Sequence, residues 1–281
     1  MGYGIVEEKD IGRVGKTLIL LSIPVIFLVM GIGYGTVNES FSSIIRGLAD
    51  INLSPTILLT DFLQVGGVGA TLINVSLVGF INVYLMHRYR LKINGVLIAA
   101  FFTVIGFSFF GKNIYNILPI YLGGYLYTRY QKISFKDIIV VIMFGTALAP
   151  LISEISFSGI LHPLSALIIA LFVGIFIGFV IVPLSSHMLK FHDGYNLYNI
   201  GFTSGIIGTV LTSLLRSFGI KVEPVNIIFK NNNGIIIALV VTVLIGLFVL
   251  GLLINKKSLV QYSGILKYKG RLITDFTHLV G

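Results

Sequence analysis

Cysteine is absent from the 281-residue chain. That excludes disulfide scaffolds, thiolate metal centres and thiol catalysis. Charge is nearly as scarce, Asp, Glu, Lys and Arg together making 11% of the residues where a soluble globular protein carries about 25%. So small a charged fraction does not coat a soluble surface. No phosphate-binding Gly-x-x-x-x-Gly-Lys loop, Gly-x-Ser-x-Gly elbow or His-Glu-x-x-His helix occurs, which leaves a soluble-type enzyme without support. His187 and His192, with Asp193, lack the i, i+4 spacing that sets two ligands on one helix face, so no metal site is expected. No catalytic residue or cofactor is expected either.

What is present is apolar: 56% hydrophobic residues and a mean hydropathy of +0.97 indicate a polytopic membrane protein. The 32 glycines follow no period of three, which removes a collagen-like reading. The net charge of +9 lies in short loops, so it reports membrane orientation rather than a nucleic-acid partner. The partner the composition implies is the lipid bilayer.

A bilayer core of about 30 Å needs roughly 20 apolar residues as helix. Eight stretches qualify, from Thr17 to Thr36, Leu63 to Leu85, Ile93 to Gly111, Ile114 to Thr128, Asp137 to Ser156, Pro163 to Ser185, Tyr195 to Ser217 and Gly234 to Ile254. The predicted fold is therefore all-α, a bundle of about eight transmembrane helices with one or two re-entrant or broken segments. With the amino terminus inside, 15 Lys and Arg fall on the inner side and 5 on the outer. The positive-inside rule then places both termini in the cytoplasm and the chain in the cytoplasmic (inner) membrane. Glu7, Glu8 and Asp10 precede the first span and no small-residue cleavage site closes it, so it does not read as a removable signal.

An internal repeat is visible. Leu58-Leu59-Thr60-Asp61-Phe62 recurs as Leu272-Ile273-Thr274-Asp275-Phe276, 214 residues later, and Gly67 then falls on Gly281. An apolar span precedes each copy. The expected organisation is a first transmembrane repeat unit, 1–230, and the start of a second, incomplete one, 231–281. On this reading the chain is part of a longer two-repeat protein.

Two strings carry a resemblance: Thr60-Asp61-Phe62 with Gly66-Gly67-Val68-Gly69-Ala70-Thr71-Leu72-Ile73-Asn74, and His192-Asp193-Gly194-Tyr195-Asn196-Leu197-Tyr198-Asn199-Ile200-Gly201-Phe202. They resemble a family of duplicated prokaryotic membrane proteins catalogued as domain of unknown function 1576. The resemblance covers nearly the whole chain. It implies two copies of both motifs, whereas this chain holds the second motif once, and it implies no activity.

Three regions are candidates for chemistry. Residues 52–86 are apolar almost throughout and as one helix would reach about 52 Å, too long for the bilayer. Breaks are expected at Pro55 and at Gly66, Gly67 and Gly69, giving a half-helix around Thr56 to Leu63 followed by a full span. Asp61 lies at the break, as a functional carboxylate or as a helix cap. Gln64, Thr71, Asn74 and Asn82 would share an arc of about 80° on a continuous helix, lining a pathway or bonding to neighbouring helices. In the second region Asn196, Asn199 and Thr203 share a face, and Gly201 to Gly205 forms a small-xxx-small contact face. The third holds Glu154, expected to be a solvated interfacial residue. Gly174 and Gly178 read as a packing pair.

The resulting expectation is a permease or channel-like protein for a small polar solute or ion, with pathway residues Asp61, Gln64, Thr71, Asn74, Asn82, Asn196, Asn199 and Thr203. The scarcity of charge inside the spans disfavours a strongly charged organic substrate. The partners expected are that solute and a second copy of the chain or the missing repeat. Two other classes stay open: a membrane-embedded redox or enzyme subunit, since Gly69-Ala70-Thr71 is similar to a short flavin-attachment tripeptide, and a non-transporting scaffold.

Overall fold

Pro150 lacks the N–H that the carbonyl of Thr146 would accept in a continuous helix, and its ring crowds the preceding turn. The span that contains it accordingly changes character halfway. Residues Ile139–Gly145 are α-helical, Thr146–Leu148 tighten into a 3₁₀ turn, and Ala149–Phe157 resume as α-helix. A short 3₁₀ stretch within a span is the usual mark of such a switch.

The computed structural model describes residues 12–56, 60–159, 161–193, 199–219, 228–230 and 233–254. Ten α-helices follow in order: α1 Arg13–Asn38, α2 Phe41–Leu53, α3 Phe62–Arg88, α4 Gly95–Phe107, α5 Ile114–Gln131, α6 Ile139–Gly145, α7 Ala149–Phe157, α8 Pro163–Phe191, α9 Asn199–Ser217 and α10 Asn233–Ile254. The protein is an all-α bundle, as its apolar runs dictate. Among the described residues, six spans are long and apolar enough to cross a membrane: α1, α3, the combined α6–α7, α8, α9 and α10. The other two expected spans correspond to α4, which at 13 residues is short, and α5, which carries Tyr, Asn and Arg residues along its 18. The recurrence at Leu272–Phe276 lies outside the described residues.

Between α1 and α3 the sequence conceals a helix that hydropathy does not find. Ser40 and Ser43 form a reciprocal capping box, which starts α2. Its apolar face, Ile44, Gly47 and Ile51, is buried. Of the half-helix expected over Thr56 to Leu63, residues 57–59 lie outside the described residues. Thr60 and Asp61 are non-helical, Asp61 pairing in an isolated antiparallel bridge with Phe110, and the helix preceding the break is α2.

Glycine brings these helices together. A Cβ on Gly47 would lie 2.0 Å from the Gly66 carbonyl oxygen, so α2 rides on α3 in backbone contact. Gly31 and Gly35 of α1 meet Gly69 of α3 in the same way, and Ser76 donates to the Pro24 carbonyl at 2.7 Å. The expected pair Gly174 and Gly178 packs α8 on α5: a Cβ on Gly178 would stand 2.0 Å from the Ile120 carbonyl oxygen, and one on Gly123 would stand 2.0 Å from that of Ile175. A continuous core of Leu, Ile, Val and Phe from α1 and α3 through α9 fills the space between.

Candidate functional site

The break in α3 falls at Gly67, whose φ of 82° and ψ of 171° no other residue adopts without strain. It separates a short first turn from the long rod that begins at Val68, and it frees the backbone N–H groups at the head of that rod. Glu39, in the corner between α1 and α2, meets them: its Oε1 accepts from Val68 N at 3.2 Å and Gly69 N at 3.4 Å. A carboxylate on a helix amino end is held by both hydrogen bonds and the helix dipole. Sequence reasoning placed a break at Gly67 and offered Asp61 as a functional carboxylate or a helix cap; Asp61 is a cap, and the acid that meets the amides freed at Gly67 is Glu39, which sequence reasoning did not name. The available signal was that any break frees amides that need an acceptor, and Glu39 is the only acid between Asp10 and Asp50.

Asp61 serves as the cap of the first turn. Its Oδ1 accepts from Leu63 N at 2.9 Å, and its Oδ2 accepts from Phe229 N, also at 2.9 Å. Gly67 resets the helical phase, which takes Gln64 out of the 80° stripe, while Thr71, Asn74 and Asn82, all beyond the break, keep their shared arc. Gln64 is exposed and stands apart from the three residues beyond the break. Thr71 is buried and returns its hydroxyl to the Gly67 carbonyl at 2.7 Å. Asn74 donates to the Ser108 and Lys112 carbonyls at 2.8 and 3.0 Å. Asn82 donates to the Val78 carbonyl at 2.8 Å and accepts from the Tyr121 hydroxyl at 2.6 Å. These amides join α3 to the α4–α5 turn and to α5.

Tyr121→Phe is expected to leave the Asn82 oxygen buried without a donor and to lower stability by about 0.6 to 1.7 kcal/mol, the range for buried polar contacts in membrane proteins. The thermal midpoint in detergent checks it. Pairing the change with Asn82→Leu should recover part of the loss, because removing both partners leaves nothing unsatisfied. A single variant as stable as the parent would refute the coupling.

The α4–α5 turn also holds a residue that charge counting overlooks. Lys112, counted above as an outer-loop charge, is fully buried; its Nζ has no hydrogen-bond partner and lies 4.9 Å from the Phe107 ring centroid. Burial pushes its ammonium well below the usual lysine range. Thr56 Oγ1 and Asn74 Oδ1 are buried without partners too. Glu154, expected to be solvated, is 8% exposed, because α7 packs between α5 and α8 rather than at the rim.

The second candidate region leads to an open space. Asn196 lies outside the described residues. Asn199 starts α9, accepting from His192 Nε2 at 2.8 Å and donating to the Ser185 carbonyl at 3.1 Å, while Thr203 bonds back to the Asn199 carbonyl at 2.9 Å. The expected Gly201–Gly205 contact face is not packed: a Cβ on Gly205 would meet nothing within 4 Å. Gly201, Gly205, Gly208, Thr212 and Arg216 share an arc of about 80° on α9 at 100° per residue. With Ser204, Thr209 and Ser213 they line a groove of about 560 Å³, walled opposite by Ala147 and Leu148 of the 3₁₀ turn. The groove thus lies beside the middle of the α6–α7 span, where the helix changes type.

No curated protein and no solved structure matches the chain. A model of the family described as protein of unknown function (DUF1576) matches residues 40–217, a region that runs from the Ser40 cap of α2 to the last residue of α9 and so contains both the Gly67 break and the groove. Over that region, well more than half of its length, the sequence carries the family's pattern, and the chain belongs to DUF1576.

Proposed function

We propose that this membrane protein passes a small polar solute or ion, and that the route runs through the α9 groove rather than along the α3 amides. The observation that carries the reading is the position of the groove. Ser204, Thr209 and Thr212 present hydroxyls beside the 3₁₀ turn at the middle of a span. Irregular backbone at that depth is tolerated where it is buried in protein or lines a wet cavity. Discontinuous helices at the midplane are where transporters bind their solutes. Asn199 and Thr203 lie on the opposite face of α9, Asn199 bonded to the Ser185 carbonyl of α8, and are outside this route.

A hydroxyl-bearing face does not front hydrocarbon. The reading therefore includes a protein cover over the open side, from a second copy of the chain or the remainder of a second repeat. It assigns no catalysis. With the buried Lys112 set aside, the asymmetry of 15 inner against 4 outer cations supports the cytoplasmic membrane with both termini inside.

Gly205→Leu tests the reading, because it fills the groove without touching a neighbour. In liposomes holding the full chain, shrinkage and recovery in urea, glycerol and salt gradients should exceed that of empty liposomes, and Gly205→Leu should reduce the faster component about tenfold. Equal rates in protein-containing and empty liposomes for every solute would overturn it. A scaffold is the competing reading, supported by the bonded state of Asn74 and Asn82.

A further inference from the structure

We infer that the solute of the groove is a small monovalent anion, an inference that rests on the permease reading above. A threonine or serine on a helix ordinarily returns its hydroxyl to the carbonyl one turn earlier, as Thr203 and Thr209 do on this same helix. Ser204 does not. It is 5% exposed, its Oγ is buried with no partner, and it lines the groove beside Leu148. A buried hydroxyl left unsatisfied calls for a ligand or water at that position, and this one has its proton free to donate.

The charge of the lining sets the sign. Twelve residues beyond Ser204, about 18 Å along the axis at 1.5 Å per residue, Arg216 closes the groove at the carboxyl end of α9. Its side chain is exposed, and no carboxylate among the described residues pairs with it. Thr212 and Ser213, one turn before Arg216, place two further hydroxyls on the way. Among the described residues, no Asp or Glu lines the groove. A cation entering past Arg216 meets like charge and finds no carboxylate beyond among the described residues, and a neutral solute gains only hydrogen bonds from the guanidinium where an anion gains charge pairing as well. An anion is drawn in by Arg216 and received by the Ser204 hydroxyl; basic side chains select anions in pores in this way. The single guanidinium matches a single negative charge, as on chloride or nitrate.

The test uses the full chain in liposomes with three probes: chloride efflux under a potassium potential clamped by valinomycin, potassium efflux with a proton carrier, and urea-driven volume recovery. Chloride should leave at least tenfold faster than from empty liposomes and potassium should not. Arg216→Gln should lower chloride flux about fivefold and Arg216→Glu more, while Arg216→Lys keeps most of it. Ser204→Ala should lower it severalfold and Ser204→Thr restore it; elution from a sizing column confirms that each variant is folded. Passage of urea or potassium without chloride would overturn the anion assignment and leave the permease reading standing. Passage of none of the three would overturn both. Chloride flux indifferent to Arg216→Gln and to Ser204→Ala would also overturn the assignment.

Discussion

Gly178→Leu is expected to prevent recovery of folded protein, while Gly205→Leu, the same change in the same kind of glycine pair, leaves folding intact. The difference is in what a side chain would meet. At Gly178 the first atom added lies 2.0 Å from the Ile120 carbonyl oxygen and 3.0 Å from the Gly124 nitrogen, backbone on both counts. Neither can turn aside as a flexible side chain would, so α5 and α8 must separate. Overpacking costs about 1 to 3 kcal/mol where side chains can move, and a rigid backbone puts this site at or beyond the upper end. That is a large part of the 5 to 15 kcal/mol, roughly, that holds a domain folded. At Gly205 the added atoms enter open space. The fraction of each variant eluting as a single species from detergent extracts, read through a fused fluorescent protein, checks the contrast. Comparable yields for the two would show that the α5–α8 contact is not limiting.

Gly67→Val is expected to be the other severe change. At φ 82° and ψ 171° a branched side chain is strained by about 1 to 3 kcal/mol. Its Cβ would also stand 3.1 Å from Glu39 Oε1, forcing the carboxylate off the amides of Val68 and Gly69. Each charge-assisted bond lost removes about 1.5 kcal/mol, so the two bonds and the strain together cost about 4 kcal/mol or more. Gly67→Ala should lose less than Gly67→Val. Glu39→Gln alone should destabilise moderately, and the double variant Gly67→Val with Glu39→Gln should lose less than the two single losses combined, since both break the same contact. Thermal midpoints of the four proteins measure this. Strict additivity would show that Glu39 does not seal the break.

Much of the bundle was legible in the sequence because lipid demands long apolar runs, and those runs became α1, α3, α6–α7, α8 and α10. The break in α3 was legible for a related reason: an apolar stretch too long for the bilayer has to bend, and a cluster of glycines is where it can. The features that were missed depend on contacts between distant residues. α2 is amphipathic and short, so a 20-residue hydropathy window passes over it; its evidence is the Ser40–Ser43 box. Glu39 reaches amides about 30 positions later, and no local pattern announces that. Gln64 fell out of the α3 stripe because its arc was counted through a residue that is not helical. Lys112 was counted by charge alone, and its burial follows from the turn between two short helices. The α9 glycines gave the correct face, but spacing does not tell an occupied contact from a vacant one.

The contact between Glu39 and the amides of Val68 and Gly69 also constrains biosynthesis. When α1 and α2 have emerged from the ribosome, the acid that will seal α3 is already made, while the amides it must cover are still in the exit tunnel. The translocon therefore receives the 62–88 segment as a rod with an open joint, and that joint becomes tolerable in lipid only when the preceding corner folds over it. Release of the third helix into the bilayer is thus tied to the prior placement of the first two.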